Sequence, residues 1–105
     1  PSSIDDPTNI QAVPFTLSQN YPNPFNPTTT ISFDVRDEKA IYNLSIYDLK
    51  GRKVISLKQG MLSRGSHNVA WNGRDANNLE VASGVYFYRL DNGKDSISKK
   101  MILMK

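Results

Sequence analysis

The side chains able to do chemistry are few and scattered. His67 is the single histidine and cysteine is absent. No Ser and Asp are spaced around His67 as a nucleophile relay needs, so no catalytic residue is expected. His67 reads instead as a solvated or edge histidine at the entry to a strand. The six glycines stand singly at turns, which leaves no phosphate-binding loop. Asp75-Ala76-Asn77-Asn78-Leu79-Glu80 carries oxygen ligands of the kind calcium takes, but the alternating ligands and central Gly of an EF-hand loop are incomplete. Asp and Asn so clustered usually bond their own backbone and shape a turn. Tyr42, Tyr47, Trp71, Tyr86, Phe87 and Tyr88 offer flat apolar faces on which a sugar can stack. They are also what a small β core is built from, and Trp71 and Phe87 are expected to be buried. Neither a metal nor a cofactor is expected.

Composition narrows the partner class. Lys and Arg number 13 against 10 Asp and Glu, for a net charge of +3. The excess sits near the end, where Lys94, Lys99, Lys100 and Lys105 face only Asp91 and Asp95. That is too sparse for a nucleic-acid footprint, and no partner of that class is expected. No run approaches the ~18 apolar residues of a membrane-spanning helix. A chain of 105 residues suits one domain with its own core. It begins at Pro1 without Met or signal peptide, and is read as the C-terminal piece of a longer protein.

The elements that must position these residues are strands. All six prolines fall within the first 27 residues. Residues 1–14 are polar, with few large apolar groups, and read as a poorly ordered linker to an upstream domain. In residues 15–27, Phe15, Leu17, Tyr21 and Phe25 punctuate the prolines, which suggests an extended segment pinned to a core by its aromatics. From Thr28 on, period-two alternation recurs: Ile31, Phe33 and Val35, then Tyr42, Leu44 and Ile46. Asp48–Arg52 supplies a turn and Arg52–Lys58 returns as a hairpin. Ser66–Trp71 is a short strand, Asn72–Asn78 a turn cluster, and Val81 a small bridge. Val85–Leu90 has apolar groups on both faces, as in a central strand covered on each side. Asn92-Gly93 is a two-residue hairpin signal, and Asp95–Lys105 is the returning strand. No helical stripe and no long repeat occurs. The reading is an all-β antiparallel sandwich of about seven strands.

Several segments together resemble a known family. Ser18-Gln19-Asn20-Tyr21-Pro22-Asn23-Pro24-Phe25-Asn26-Pro27 is similar to the opening signature of type A C-terminal sorting domains of the type IX secretion system. The likeness continues in Ile46–Arg52, in Gly65–Gly73 with Trp71 and Gly73, and in Asp75. It is closest in Ala82-Ser83-Gly84-Val85-Tyr86-Phe87-Tyr88-Arg89-Leu90, and it ends in Lys99-Lys100-Met101-Ile102-Leu103-Met104-Lys105. Order and spacing hold over residues 17–105. Two departures are small: Asn78 stands where Gly is frequent, and Asn tolerates left-handed backbone best among the other residues. Asn72 stands where Asp is common.

The resemblance implies an Ig-like sandwich over residues 15–105, akin to the Ig-like domains of flagellar hook-capping proteins. It implies a secretion address that sends an attached upstream cargo from the periplasm across the outer membrane, to the cell surface or the medium. The implied partners are an outer-membrane shuttle and a sortase-like protease cutting in or before residues 1–17. Tyr21, Pro22, Pro24, Phe25, Trp71, Gly73, Gly84, Tyr86, Phe87 and Tyr88 are then structural signature positions, and the domain is expected to act as a monomer. The alternatives are an ancillary carbohydrate-binding module of a secreted enzyme and an Ig-like assembly module. The tail Lys99, Lys100, Met101, Ile102, Leu103, Met104 and Lys105 is the expected recognition segment. Its second apolar row suggests either a strand between two layers or a sticky edge that lysines keep soluble. Its free backbone groups suggest that a partner adds a strand there.

Overall fold

Alternation of apolar and polar residues sorts the chain into two facing sheets. The computed structural model describes residues 13–105. Its strands are β1 (Phe15–Leu17), β2 (Thr29–Val35), β3 (Ile41–Tyr47), β4 (Lys53–Met61), β5 (Gly65–Trp71), β6 (Gly84–Asp91) and β7 (Ser96–Leu103). One sheet runs β1-β2-β5 and the other β4-β3-β6-β7. Every neighbouring pair is antiparallel. This is the Ig-like sandwich expected, and its core is the sum of the inward phases. Ile31, Phe33 and Val35 of β2 face Tyr42, Leu44 and Ile46 of β3 and Tyr86, Tyr88 and Leu90 of β6, all buried.

The β3–β4 hairpin turns where Gly51 supplies φ 84°. Asp48 organises that turn. Its Oδ1 accepts the Lys50 and Arg52 amides, each at 2.9 Å. These backbone bonds, led by the one from Arg52, hold the carboxyl below the usual range. Past the turn, β4 carries two register shifts against β3, so Leu57 and Val54 are extra residues on the edge strand. In the 73–81 loop Asn78 adopts φ 64°, the left-handed geometry for which Asn substitutes for Gly.

Four expectations are corrected. Phe87 is not in the core: it is half-buried on the outer face of β6, in phase with exposed Arg89, while Tyr86, Tyr88 and Leu90 take the inner face. For the same reason β6 is central in its sheet but covered on one face only. The Tyr21 ring pins nothing, being 80% exposed, and the residue is tied to Thr30 by its backbone alone, whereas Phe15, Leu17 and Phe25 are buried as expected. The β6–β7 connection is a four-residue loop over 92–95, closed by the Asn92 amide on the Asp95 carbonyl at 3.1 Å. Asn92 Oδ1 also accepts the amides of Lys94 and Asp95, which stabilises the longer loop over a two-residue turn. The linker expected over residues 1–14 lies almost wholly outside the described residues.

Candidate functional site

The proline-rich segment and the last strand form one unit. Proline offers no amide, so the residues between prolines supply the hydrogen bonds. The peptide bonds before Pro22, Pro24 and Pro27 are cis. Phe25 bridges to Leu103 in parallel. Its amide donates to the Ile102 carbonyl at 3.0 Å, and its carbonyl accepts the Met104 amide at 2.9 Å. Asn23 Oδ1 accepts the Ile102 amide at 3.0 Å, and Gln19 Nε2 donates to the Lys100 carbonyl at 2.8 Å. The outer edge of β7 from Lys100 to Met104 is therefore already paired within the chain. Strand addition by a partner, expected there from the sequence, is closed along this stretch.

Below that edge lies a buried polar cluster. The Tyr88 hydroxyl donates to the Ser18 carbonyl at 2.6 Å and accepts the Asn20 amide at 2.8 Å. Asn20 Nδ2 reaches Thr29 Oγ1 at 2.9 Å and the Pro22 carbonyl at 3.2 Å. Thr29 Oγ1 in turn donates to Pro22 at 2.8 Å. Burial pushes the Tyr88 phenol up to about 12, against a smaller opposing effect of the Asn20 amide. Asn20 and Thr29 are not among the expected site residues: Asn20 meets Tyr88 from 68 positions away, and the proline run folds back to bring Thr29 to Asn20 and Pro22. The one local signal was an Asn and a Thr flanking the proline run.

Aromatic packing fixes the other end of the segment. The Phe25 ring centroid lies 5.7 Å from that of Trp71, which meets Tyr86 edge-on at 5.5 Å. Trp71 Nε1 donates to the Arg74 carbonyl at 2.9 Å and the Tyr86 hydroxyl to Ala82 at 2.7 Å. Gly73 sits at φ 75°, where an added Cβ would lie 3.2 Å from the Pro27 carbonyl oxygen. The chain end is held by the Lys105 amide on Ser83 Oγ at 3.0 Å and by Lys105 Nζ with Glu80 at 3.3 Å.

The candidate recognition tail is split between two faces. Met101 and Leu103 are buried and Lys99 shares their inward phase, while Lys100, Ile102 and Met104 point outward. The strand has one apolar inner row and is not sandwiched between layers. Of the candidate sugar platform, Tyr42, Trp71, Tyr86 and Tyr88 are buried, which leaves Tyr47 and Phe87 on the outer face. Asp75 Oδ1 accepts the Asn77 and Leu79 amides at 2.9 and 3.0 Å, a turn-forming role. His67 stacks on Phe33 at 5.3 Å, with Nε2 2.8 Å from the Ser63 carbonyl, so that nitrogen carries a proton.

The family model described as "Secretion system C-terminal sorting domain" matches residues 19–104. Comparison with curated proteins gives no match. Three solved structures share the fold. Dimeric latent PorU from Porphyromonas gingivalis has TM-score 0.67 at 22% identity, over 88% of this chain and 10% of that one. PorZ from the same organism, described as an essential surface component of the type-IX secretion system, has TM-score 0.55 at 24% identity, over 98% and 13%. The alkylpurine DNA glycosylase AlkC of Pseudomonas fluorescens, bound to abasic-site DNA, has TM-score 0.55 at 17% identity, over 92% and 32%. The chain thus spans 10% and 13% of the two Porphyromonas proteins, and these likenesses speak to fold alone.

Proposed function

The chain belongs to the secretion system C-terminal sorting domain family, and on that premise we propose that it is the address by which a type IX apparatus moves an attached cargo across the outer membrane. The domain is non-catalytic, and its place is outside the inner membrane, at the cell surface or in the medium. One observation carries the reading: the family match runs from the stapling segment to the strand it holds, residues 19–104. A tag read without chemistry is read by shape and charge, and this unit presents a fixed Lys105 and an outward row of Lys100, Ile102 and Met104. In this reading an outer-membrane shuttle engages the Lys99–Lys105 tail, and a sortase-like protease cuts in or before residues 1–17. Residues 1–14 are the linker to a cargo domain upstream, and the tag works as a monomer.

The test is a fusion of the 105-residue chain to a periplasm-targeted fluorescent protein, expressed in cells with and without a functional type IX apparatus. Fluorescence on the surface or in the medium only where the apparatus is present is the expected result. Equal retention in both strains, with the fusion intact and folded, overturns it.

A further inference from the structure

The two outer faces of the sandwich differ. That of the three-stranded sheet is small and polar, with Ser32 bonded to Asn68 at 2.7 Å and Ser66 to Asp34 at 3.3 Å. That of the four-stranded sheet carries a row set by strand register. Lys53 of β4 pairs with Tyr47 of β3, Tyr47 with Phe87 of β6, and Phe87 with Lys100 of β7. The row therefore reads cation, aromatic, aromatic, cation, with its lysines about 14 Å apart across three strand spacings. Val85 and Ile102, paired in the next row, extend the apolar centre and are half-buried. A cleft of about 250 Å³ at the sheet end adds Leu49, 69% exposed.

We propose that this face is a docking surface for an acidic protein segment with an apolar centre. The inference rests on the sorting reading for the partner's identity and on geometry for the surface itself. Charge sets the partner's sign. Neither Lys53 nor Lys100 forms an ion pair among the described residues. Arg89, one row away, is already spent within the face: its guanidinium lies 4.8 Å over the Tyr47 ring and Nη2 donates to the Tyr47 hydroxyl at 2.9 Å. That contact also takes one face of the Tyr47 ring away from a stacking sugar, which leaves the glycan alternative to the polygalacturonate comparison below. What is left open is the half-buried Phe87, an aliphatic pair and two lysines without an ion pair among the described residues. This combination suits a protein surface, where aromatic anchors in a desolvated centre supply affinity and rim charges supply orientation and on-rate.

The probe is a random poly(Glu,Tyr) copolymer, titrated against the 105-residue chain, with poly-glutamate and polygalacturonate for comparison. Saturable binding to the copolymer is expected, at least tenfold tighter than to either comparator and weakening with salt. Phe87→Ser and the double variant Lys53→Glu/Lys100→Glu should each lose at least tenfold, while Ser32→Ala on the other sheet should not. All four positions lie outside the buried core, and a retained cooperative thermal transition confirms folding. Binding indifferent to both face variants, no binding to the copolymer, or polygalacturonate bound as tightly overturns the proposal. The same variants are then carried in the reporter fusion, where the folded double variant should export at least tenfold less. Normal export by it overturns the face as the surface that is read. A wild-type fusion that stays in the periplasm overturns the sorting reading instead, and the titration still decides the face.

Discussion

Tyr88 is the residue through which this fold meets pH. Its phenol is buried among Ser18 and Asn20, with its pKa raised to about 12 from an ordinary 10. A group that holds its proton more tightly when folded stabilises fully below its unfolded pKa and loses that contribution as pH rises through the folded one. Stability should be flat to about pH 10 and fall between pH 10 and 12. Tyr42 and Tyr86, raised chiefly by burial, should steepen the fall. Denaturant unfolding across pH 8–12 checks this, and Tyr88→Phe should flatten the slope while costing ~1–3 kcal/mol at neutral pH through the stranded Asn20 amide. Packing separates two other aromatics that look alike in sequence. Trp71→Ala should cost ~3–5 kcal/mol, the range for a large buried aromatic. Phe87→Ala should cost under ~1.5 kcal/mol, because its ring is half in solvent. Melting curves of the two variants decide between them. The difference was readable in one way: Phe87 shares its phase with Arg89, and a charged residue marks the outer row. The unbroken run of apolar residues hid that cue. Asn20 was less legible, since a buried polar partner 68 residues away leaves no periodic trace, and Thr29 meets Asn20 and Pro22 only because the proline run folds back.

Among the elements, regular strands were visible and the staple was not. Period two announces a strand because one face must be apolar, and β2 and β3 lie within the segments so read; β7 lies within the strand expected after Asn92-Gly93, and β5 starts one residue before its expected Ser66. The 19–27 segment follows no period. Its role comes from where its few amides and side-chain oxygens fall against β7, and the sequence marked only that something there was anchored. Hydrogen exchange tests the staple directly. Asn23→Ala should speed exchange of the Ile102 amide, whose acceptor is removed, and leave β2 and β3 amides protected. Unchanged exchange at Ile102 would show that the side chain contributes no protection. The Gly73 turn gives a second, separable test. Gly73→Ala meets left-handed backbone, ~1–2 kcal/mol, together with a 3.2 Å approach to the Pro27 carbonyl. Gly51→Ala has φ 84° but open space around the added carbon, and so meets the backbone penalty alone. Denaturation midpoints should place Gly73→Ala as the more destabilised of the pair. Equal shifts would mean that the Pro27 segment moves aside freely.

At the scale of the molecule the two long sides of the sandwich are finished differently. On the β4 side the extra residues Val54 and Leu57 bend the edge, with Lys53 and Lys58 exposed along it, devices that discourage pairing with another chain. On the β7 side the chain covers its own edge with residues 19–25. The last strand is thereby both core and surface, and an experiment on it must separate the two. Removing residues 101–105 deletes buried Met101 and Leu103 and the Ile102 and Met104 bonds to the staple. Large-to-small changes at such aliphatic positions cost ~2–5 kcal/mol each, against a total stability of ~5–15 kcal/mol for a domain. The truncated chain should therefore lose its cooperative unfolding transition, and its failure to export would carry no information about recognition. The outward row is the informative one. Lys100→Glu, Ile102→Ser and Met104→Ser leave every buried side chain in place, so the melting temperature should shift by no more than a few degrees. If the tail is an address, these folded variants lose export. If they export normally while the truncation unfolds, β7 serves the domain as core alone and recognition lies on another part of its surface.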